Sequence, residues 1–357
     1  MKVVTVIGAR PQFIKAATVS REFKKSGVHE VIIHTGQHFD HNMSQVFFDE
    51  MEIPAPDYNL EVSSLGHGAM TGRMLEKIEE VLIKEKPDYV LVYGDTNSTL
   101  AGSLAAVKLH IPVAHVEAGL RSFEMKMPEE VNRIVTDRIS QILFCPTYTA
   151  IQNLENEGFK NLDAELILSG DVMYDAVLFY RNKIKTHSTV IQKQKLEGKP
   201  FVLATIHRAE NTNDPTRLKE ICEAINEINS KIKVVLPLHP RTRAFLQSQQ
   251  LSLEATIIDP VGYFDMLALL EGCSLVMTDS GGLQKEAYFF GKYCLTLRDQ
   301  TEWIELVEAK ANSLVGANHK KIVEEFSKHL NTKIKTEENL YGNGDAARII
   351  SEKLQGY

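Results

Sequence analysis

Val3-Val4-Thr5-Val6-Ile7-Gly8-Ala9-Arg10-Pro11-Gln12-Phe13-Ile14-Lys15 is an apolar run, a glycine, and then a proline at the point where the pattern turns helical. An apolar run of about five residues without polar alternation is a strand buried on both faces, as in a parallel sheet. Gly8 permits a tight turn and Pro11 suits the first position of a helix. The helix N-terminus then offers backbone donors beside Arg10 and Lys15, which makes an anion site. Neither G-x-G-x-x-G nor G-x-x-x-x-G-K-[ST] is present, which argues against NAD and P-loop nucleotide chemistry.

The same unit repeats along the chain. Strands are expected at 3–7, 30–34, 89–93, 113–116, 142–145 and 166–169, with helices at 12–24, 69–86, 98–109, 129–140 and 150–157 between them. From Lys183 to Lys199 the composition becomes polar and basic, a candidate domain boundary. The alternation then restarts with strands at 201–206, 234–238, 256–258, 275–278 and 294–297 and helices at 215–228, 263–270 and 283–290. The expected fold class is α/β with two Rossmann-like domains in tandem, 1–183 and 184–344. The tail from Ala346 to Leu354 has helical spacing and is expected to pack against one of the two halves. The carboxyl ends of two such sheets are expected to line an interdomain cleft holding the site.

The length of 357 residues fits two domains at about 150 residues each. Lys and Arg total 40 against 47 Asp and Glu, so the net charge of -7 gives no reason to expect nucleic acid or an anionic membrane as a partner. No run approaches the ~18 apolar residues of a membrane span, and the N-terminal apolar run is too short for a signal sequence. Cys145, Cys222, Cys273 and Cys294 lack C-x-x-C spacing and read as reduced, buried thiols, so the expected setting is cytoplasmic.

Candidate chemistry sits at strand ends. Thr278-Asp279-Ser280-Gly281-Gly282 joins a strand to a helix and lets backbone N–H groups approach a phosphate, while Glu286 on the first turns can accept from ribose hydroxyls. Asp95, Glu117 and Glu129 follow strands or open a helix in the first half, where desolvation suits carboxylates to acid and base work. Asp95, before Thr96-Asn97-Ser98, also reads as a helix N-cap. His207 ends a strand of the second half and can bind phosphate or transfer a proton. His34, Gln37, His38, Asp40 and His41 superficially resemble a metal site but lack a defined third ligand, so no metal is expected.

Together these residues resemble the non-hydrolysing UDP-N-acetylglucosamine 2-epimerase family. The resemblance runs through Gly8-x-Arg10-Pro11-x-x-x-Lys15, Thr35-Gly36-Gln37-His38, Tyr93-Gly94-Asp95-Thr96, His115-Val116-Glu117-Ala118-Gly119-Leu120-Arg121, Pro128-Glu129-Glu130-x-Asn132-Arg133, His207-Arg208-x-Glu210 and Thr278-Asp279-Ser280-Gly281-Gly282. It implies a fold like that of GT-B glycosyltransferases with the C-terminal helix, in 345–357, packing back on the first domain, a homodimer, and a reaction needing neither NAD nor metal. It also implies elimination of UDP to a 2-acetamidoglycal followed by re-addition with inverted C2. Asp95, Glu117, Glu129 and His207 become the candidates for proton transfer. Arg10, Lys15, Gln37, His38, Arg133, Ser280, Gly281, Gly282, Glu286 and Arg298 are candidates for substrate binding, with Arg133 placed to hold Glu129.

Where family members often carry R-D-x-T-E-R-P-E, this chain reads Arg298-Asp299-Gln300-Thr301-Glu302-Trp303-Ile304-Glu305. That stretch is more similar to the branch acting on UDP-2,3-diacetamido-2,3-dideoxy-D-glucuronate for lipopolysaccharide O-antigen. UDP-N-acetylglucosamine is the alternative substrate, with Trp303 then a packing residue. A GT-B glycosyltransferase is the alternative from another reaction class, and a UDP-sugar sensor the non-catalytic one.

Overall fold

The computed structural model describes residues 1–37, 52, 55–336 and 340–356. Internal contacts divide the chain into two compact units, Met1–Leu178 with Glu338–Tyr357, and Phe179–Glu337.

The sheet of the first unit contains β1 (Lys2–Ile7), β2 (His29–His34), β3 (Tyr58–Asn59), β4 (Tyr89–Tyr93), β5 (Val113–Val116), β6 (Ile142–Cys145) and β7 (Glu165–Leu168). Its order is β3-β2-β1-β4-β5-β6-β7. All pairs are parallel, with Ile7 opposite His34 and Val6 opposite Val92. The direction of strand addition reverses between β1 and β4, and in such a sheet ligands bind beyond the carboxyl ends at that reversal. Gly8 follows one of these strands and Gly94-Asp95 the other.

Val4, Val6, Ile33, Val90 and Val92 form a core with Met74 and Ile78 of the helix His67–Glu85 and Ala101 and Ala105 of the helix Asn97–Lys108. Small residues bring the second of these helices close to the sheet: a methyl added at Gly102 would lie 3.2 Å from Val6. Its N-cap is Thr96, whose hydroxyl accepts from Thr99 N at 3.3 Å. The capping role read for Asp95 therefore falls to its neighbour, and the Asp95 side chain points elsewhere.

The sheet of the second unit is built from β8 (Phe201–Thr205), β9 (Lys233–Pro237), β10 (Thr256–Ile258), β11 (Leu275–Thr278), β12 (Cys294–Thr296) and β13 (Asn312–Leu314). Its order, β10-β9-β8-β11-β12-β13, is again parallel and reverses between β8 and β11. Both units thus have the Rossmann-like order. Val202, Ala204, Leu236, Met277 and Leu295 pack against Leu218, Ile221 and Ile225 of the helix Pro215–Asn229 and Phe326 of the helix His319–His329.

The polar stretch from Lys183 to Lys199 forms two short helical turns, Ile184–His187 and Val190–Lys193. Both pack on the helix Tyr263–Gly272, with Ile184, Val190 and Leu196 buried. The last helix, Ala346–Leu354, packs on Arg10–Ser26 in the first unit. Ser26 and Ser351 share a 2.8 Å hydrogen bond, and Ala347 N donates to Asp175 Oδ2 at 2.8 Å.

All four cysteines are free and buried. Burial pushes the thiols of Cys222, Cys273 and Cys294 up to about 12. Among the described residues no helix is long and apolar enough to cross a membrane.

Candidate functional site

In the first unit the turn after β1 is locked by Gln12. Its Oε1 accepts from Gly8 N and Ala9 N at 2.8 and 3.0 Å, and its Nε2 donates to Tyr93 O and Thr99 Oγ1, both at 2.9 Å. Gly8 is required sterically: a methyl there would sit 1.9 Å from Thr35 Oγ1 and 2.3 Å from Ser98 Oγ. Gln37 reaches the same place, accepting from Ser98 N at 3.1 Å and Ser98 Oγ at 2.9 Å.

Two carboxylate–cation pairs stand beside this turn. Lys15, one turn into the helix, pairs with Glu117 at the end of β5. Arg133 pairs with Asp95 at the end of β4 and donates to Glu130 at 2.7 Å. Glu117 has φ of +70°, an uncommon conformation for a side chain of its size, costing of order 1–3 kcal/mol and held by surrounding contacts. Glu117 N and Ala118 N both donate to Phe144 O at 3.1 Å, and Gly119 N donates to Asp137 at 3.2 Å.

Arg133 bridges to Glu130, where Glu129 was expected. Glu130 is fully buried and accepts from Ser122 Oγ at 2.8 Å and Phe123 N at 2.9 Å, so its carboxylate faces inward and meets the arginine. Glu129 lies half-buried on the first turn of the helix Pro128–Ile139.

Beneath the pairs runs a buried charge network. His115 Nδ1 lies 2.7 Å from Asp137 and its Nε2 2.7 Å from Gly94 O, while Arg121 donates to Asp137 at 2.7 Å and to both oxygens of Glu157. Burial works to raise the Asp137 carboxyl, but His115 and Arg121 outweigh it and hold it below the usual carboxylate range. One buried carboxylate therefore braces the loops that carry Asp95 and Glu117.

The Arg10 side chain, His38, Asp40 and His41 lie outside the described residues. His34, from the same histidine cluster, is buried and stacked on Phe13, and burial lowers its pKa.

In the second unit, Ser280 caps the helix Gly281–Phe289 through a 3.4 Å bond from Leu283 N. A methyl added at Gly282 would meet nothing within 4 Å beyond its own helical turn, so a ligand can approach the backbone there. Gln284 holds the turn, donating to Ser280 O at 3.2 Å while accepting from Thr301 Oγ1 at 2.8 Å and Asn312 Nδ2 at 3.0 Å. Glu286 is buried in the same helix.

Arg298 is buried, donates to Glu302 at 2.8 Å and lies 3.7 Å from Glu210. Trp303 is only 3% exposed, and the buried Lys285 places Nζ 4.0 Å from its ring centroid. His207 keeps 54% of its side chain exposed, with Nδ1 2.9 Å from the buried Asp279. Burial would raise the Asp279 carboxyl, yet His207 and the backbone N–H groups of His207 and Arg208 hold it below the usual range.

Sequence reasoning passed over Gln12, Asp137 and Asp279 as functional. Gln12 starts a helix, Asp279 ends a strand and Asp137 lies in the last turn of the helix Pro128–Ile139; all three are buried polar residues, which is the signal that could have marked them.

The chemical offer of each unit is now plain. At its strand reversal the first presents carboxylates paired with cations, suited to proton transfer, and the second presents a capped helix N-terminus with a half-exposed imidazole, suited to an anionic ligand. The family described as UDP-N-acetylglucosamine 2-epimerase matches residues 21–355. The chain is 56% identical to a UDP-2,3-diacetamido-2,3-dideoxy-D-glucuronate 2-epimerase of Pseudomonas aeruginosa, over 99% of both chains. It is 42% identical to a UDP-N-acetylglucosamine 2-epimerase of Methanocaldococcus jannaschii, over 98% of both. A crystal structure of the Methanocaldococcus jannaschii UDP-GlcNAc 2-epimerase with UDP-GlcNAc and UDP superposes with a TM-score of 0.92 at 43% identity, covering 99% of both chains. The Neisseria meningitidis enzyme bound to UDP-GlcNAc gives 0.89 at 34% identity, covering both chains fully. The chain belongs to the UDP-N-acetylglucosamine 2-epimerase family and is an isomerase of the GT-B-like fold.

Proposed function

We propose that the protein inverts C2 of a UDP-2-acetamido sugar, gluco to manno, and that its preferred substrate is UDP-2,3-diacetamido-2,3-dideoxy-D-glucuronate. The carrying observation is the pair of carboxylate–cation contacts at the first strand reversal, Asp95 with Arg133 and Glu117 with Lys15. The substrate choice is supported by the 56% identity to the Pseudomonas aeruginosa enzyme and by Trp303 in place of the arginine common in the family.

The C2 proton is not next to a carbonyl, so its removal must be coupled to departure of UDP from C1. The C2–H bond breaks, its electron pair forms the C1–C2 double bond, and the C1–O bond breaks to release UDP. Re-addition of UDP and delivery of a proton to the other face of C2 complete the inversion. Oxidation level is conserved, so the balance requires no redox cofactor. In this reading Asp95, Glu117 and Glu129 are the proton-transfer candidates of the first unit. His207, Ser280, Gly281 and Gly282 hold the departing diphosphate in the second, where each well-placed donor is worth about 3 kcal/mol. Arg298 and Glu286 serve substrate binding there, as do Arg10, Lys15, Gln37, His38 and Arg133 in the first unit.

Turnover in D2O tests the reaction: deuterium enters C2 and a gluco/manno mixture forms, whereas turnover without exchange overturns the reading. Comparing kcat/KM for the diacetamido-glucuronate and UDP-N-acetylglucosamine tests the substrate. A cytoplasmic homodimer is part of the same proposal, supported by the four free thiols for the compartment and by the family resemblance for the dimer. Light scattering on the purified protein tests the oligomer.

A further inference from the structure

Asp279 is wholly buried at the carboxyl end of β11, yet all its recorded hydrogen-bond donors lie outside its own turn. His207 N reaches both its oxygens at 3.1 Å, Arg208 N donates at 3.0 Å and Asn211 Nδ2 at 3.2 Å. The fourth contact is the His207 ring, with Nδ1 at 2.9 Å. Three of these donors tie down the loop after β8 and would suffice for a structural purpose.

The ring contact is different. With 54% of the side chain exposed, burial does not fix the His207 ring, and an imidazole so placed samples several rotamers unless a partner holds it. An ionised carboxylate only accepts hydrogen bonds, so Nδ1 must carry a proton. A neutral ring then has only a lone pair on Nε2, so the doubly protonated ring is the form that can serve a diphosphate: it donates to Asp279 from Nδ1 and to the ligand from Nε2. Asp279 also immediately precedes Ser280, the cap of the helix whose N-terminus is offered to the diphosphate. A single carboxylate at the reversal between β8 and β11 thus sets one donor's protonation and direction and stands at the root of the other.

We infer that Asp279 is a positioning residue for the epimerisation, acting through His207 to hold Nε2 ready for the departing diphosphate. The inference rests on the role proposed above for His207.

Asp279→Asn tests it with an isostere. The amide oxygen still accepts from the loop, but the amide nitrogen facing Nδ1 cannot accept from the ring, so the doubly protonated form loses its partner and only a neutral ring faces the ligand; such a swap behind a catalytic histidine costs up to about 10⁴-fold elsewhere. The expected result is a fall in kcat of about 100-fold or more with KM changed less than about 3-fold. In a His207→Ala background the same substitution should add less than about 3-fold, because its effect passes through the absent ring. A double variant whose loss equals the product of the two single losses would overturn the inference while leaving the His207 role standing. Unchanged turnover in His207→Ala would overturn both. Should Asp279→Asn fail to fold, nitrogen NMR of the unmodified protein with UDP bound decides: a His207 ring protonated at both nitrogens supports the inference, and a neutral ring in either tautomer overturns it.

Discussion

Arg133 holds Asp95 from the helix that follows β5, while the same guanidinium binds the fully buried Glu130. One cation thus serves an exposed-edge carboxylate and an interior one, and the two are separable by mutation.

Arg133→Leu leaves Glu130 buried without its cation, which costs about 3 kcal/mol or more. Asp95→Asn leaves the Arg133–Glu130 pair in place, and its stability should stay within about 1 kcal/mol of the parent. Its C2 deuterium exchange should nevertheless fall by at least about 100-fold. Urea denaturation and exchange measured side by side check the contrast, and unchanged exchange in Asp95→Asn removes that residue from the catalytic set.

Gly8 and Gly282 are predicted to respond oppositely to alanine. At Gly8 the methyl overlaps Thr35 and Ser98, so a destabilisation of about 3 kcal/mol is expected. At Gly282 an added methyl meets nothing within 4 Å beyond its own helical turn, so the thermal midpoint should hold while KM for the UDP-sugar rises. A Gly282→Ala variant with unaltered KM would argue against diphosphate approach at that turn.

Asp175 predicts a pH dependence. Burial, with Asp171 and Asp345 nearby, raises its carboxyl from 3.8 to about 6, although Ala347 N and Ala346 N pull the other way. Between these values the folded chain binds a proton that the unfolded chain does not, so stability falls as pH rises from about 4 to 6. The contribution reaches about 3 kcal/mol above that window. Asp175→Asn keeps an acceptor for Ala347 N and should be the more stable protein at pH 7, with the advantage vanishing below pH 4. Urea midpoints across this range test it.

Trp303 carries the buried Lys285 under its ring, a contact worth about 2 kcal/mol when desolvated. Trp303→Arg would restore the residue common in the family but set a second cation against Lys285. The expected outcome is a lower thermal midpoint with no gain in kcat/KM for UDP-N-acetylglucosamine. A clean switch of substrate would show that position 303 acts alone.

The sheets were legible because many of their strands are short, largely apolar runs set off by turn residues: Tyr89–Tyr93, Val113–Val116 and Leu275–Thr278 have the bounds expected. β13, Asn312-Ser313-Leu314, was not, since it has no apolar run and is a strand only through its pairing with β12. The helices Pro240–Ser248 and His319–His329 were also passed over, each beginning in polar residues that read as loop. At the site, residue types and strand ends were readable but partners were not. Glu129 and Glu130 both lie within a helical turn of Arg133, and only the burial of Glu130 selects between them. Asp279 stands in a quoted motif, yet nothing in the sequence says that it reaches back to His207.

The helix Ala346–Leu354 belongs to the first unit although the whole second unit precedes it in the chain. The second unit is one continuous stretch of chain, whereas the first is closed by residues from beyond it, Ala347 against Asp175 and Ser351 against Ser26. A cut anywhere in the second unit therefore separates the Arg10–Ser26 helix from the helix that covers it, so the integrity of the first unit depends on the chain of the second.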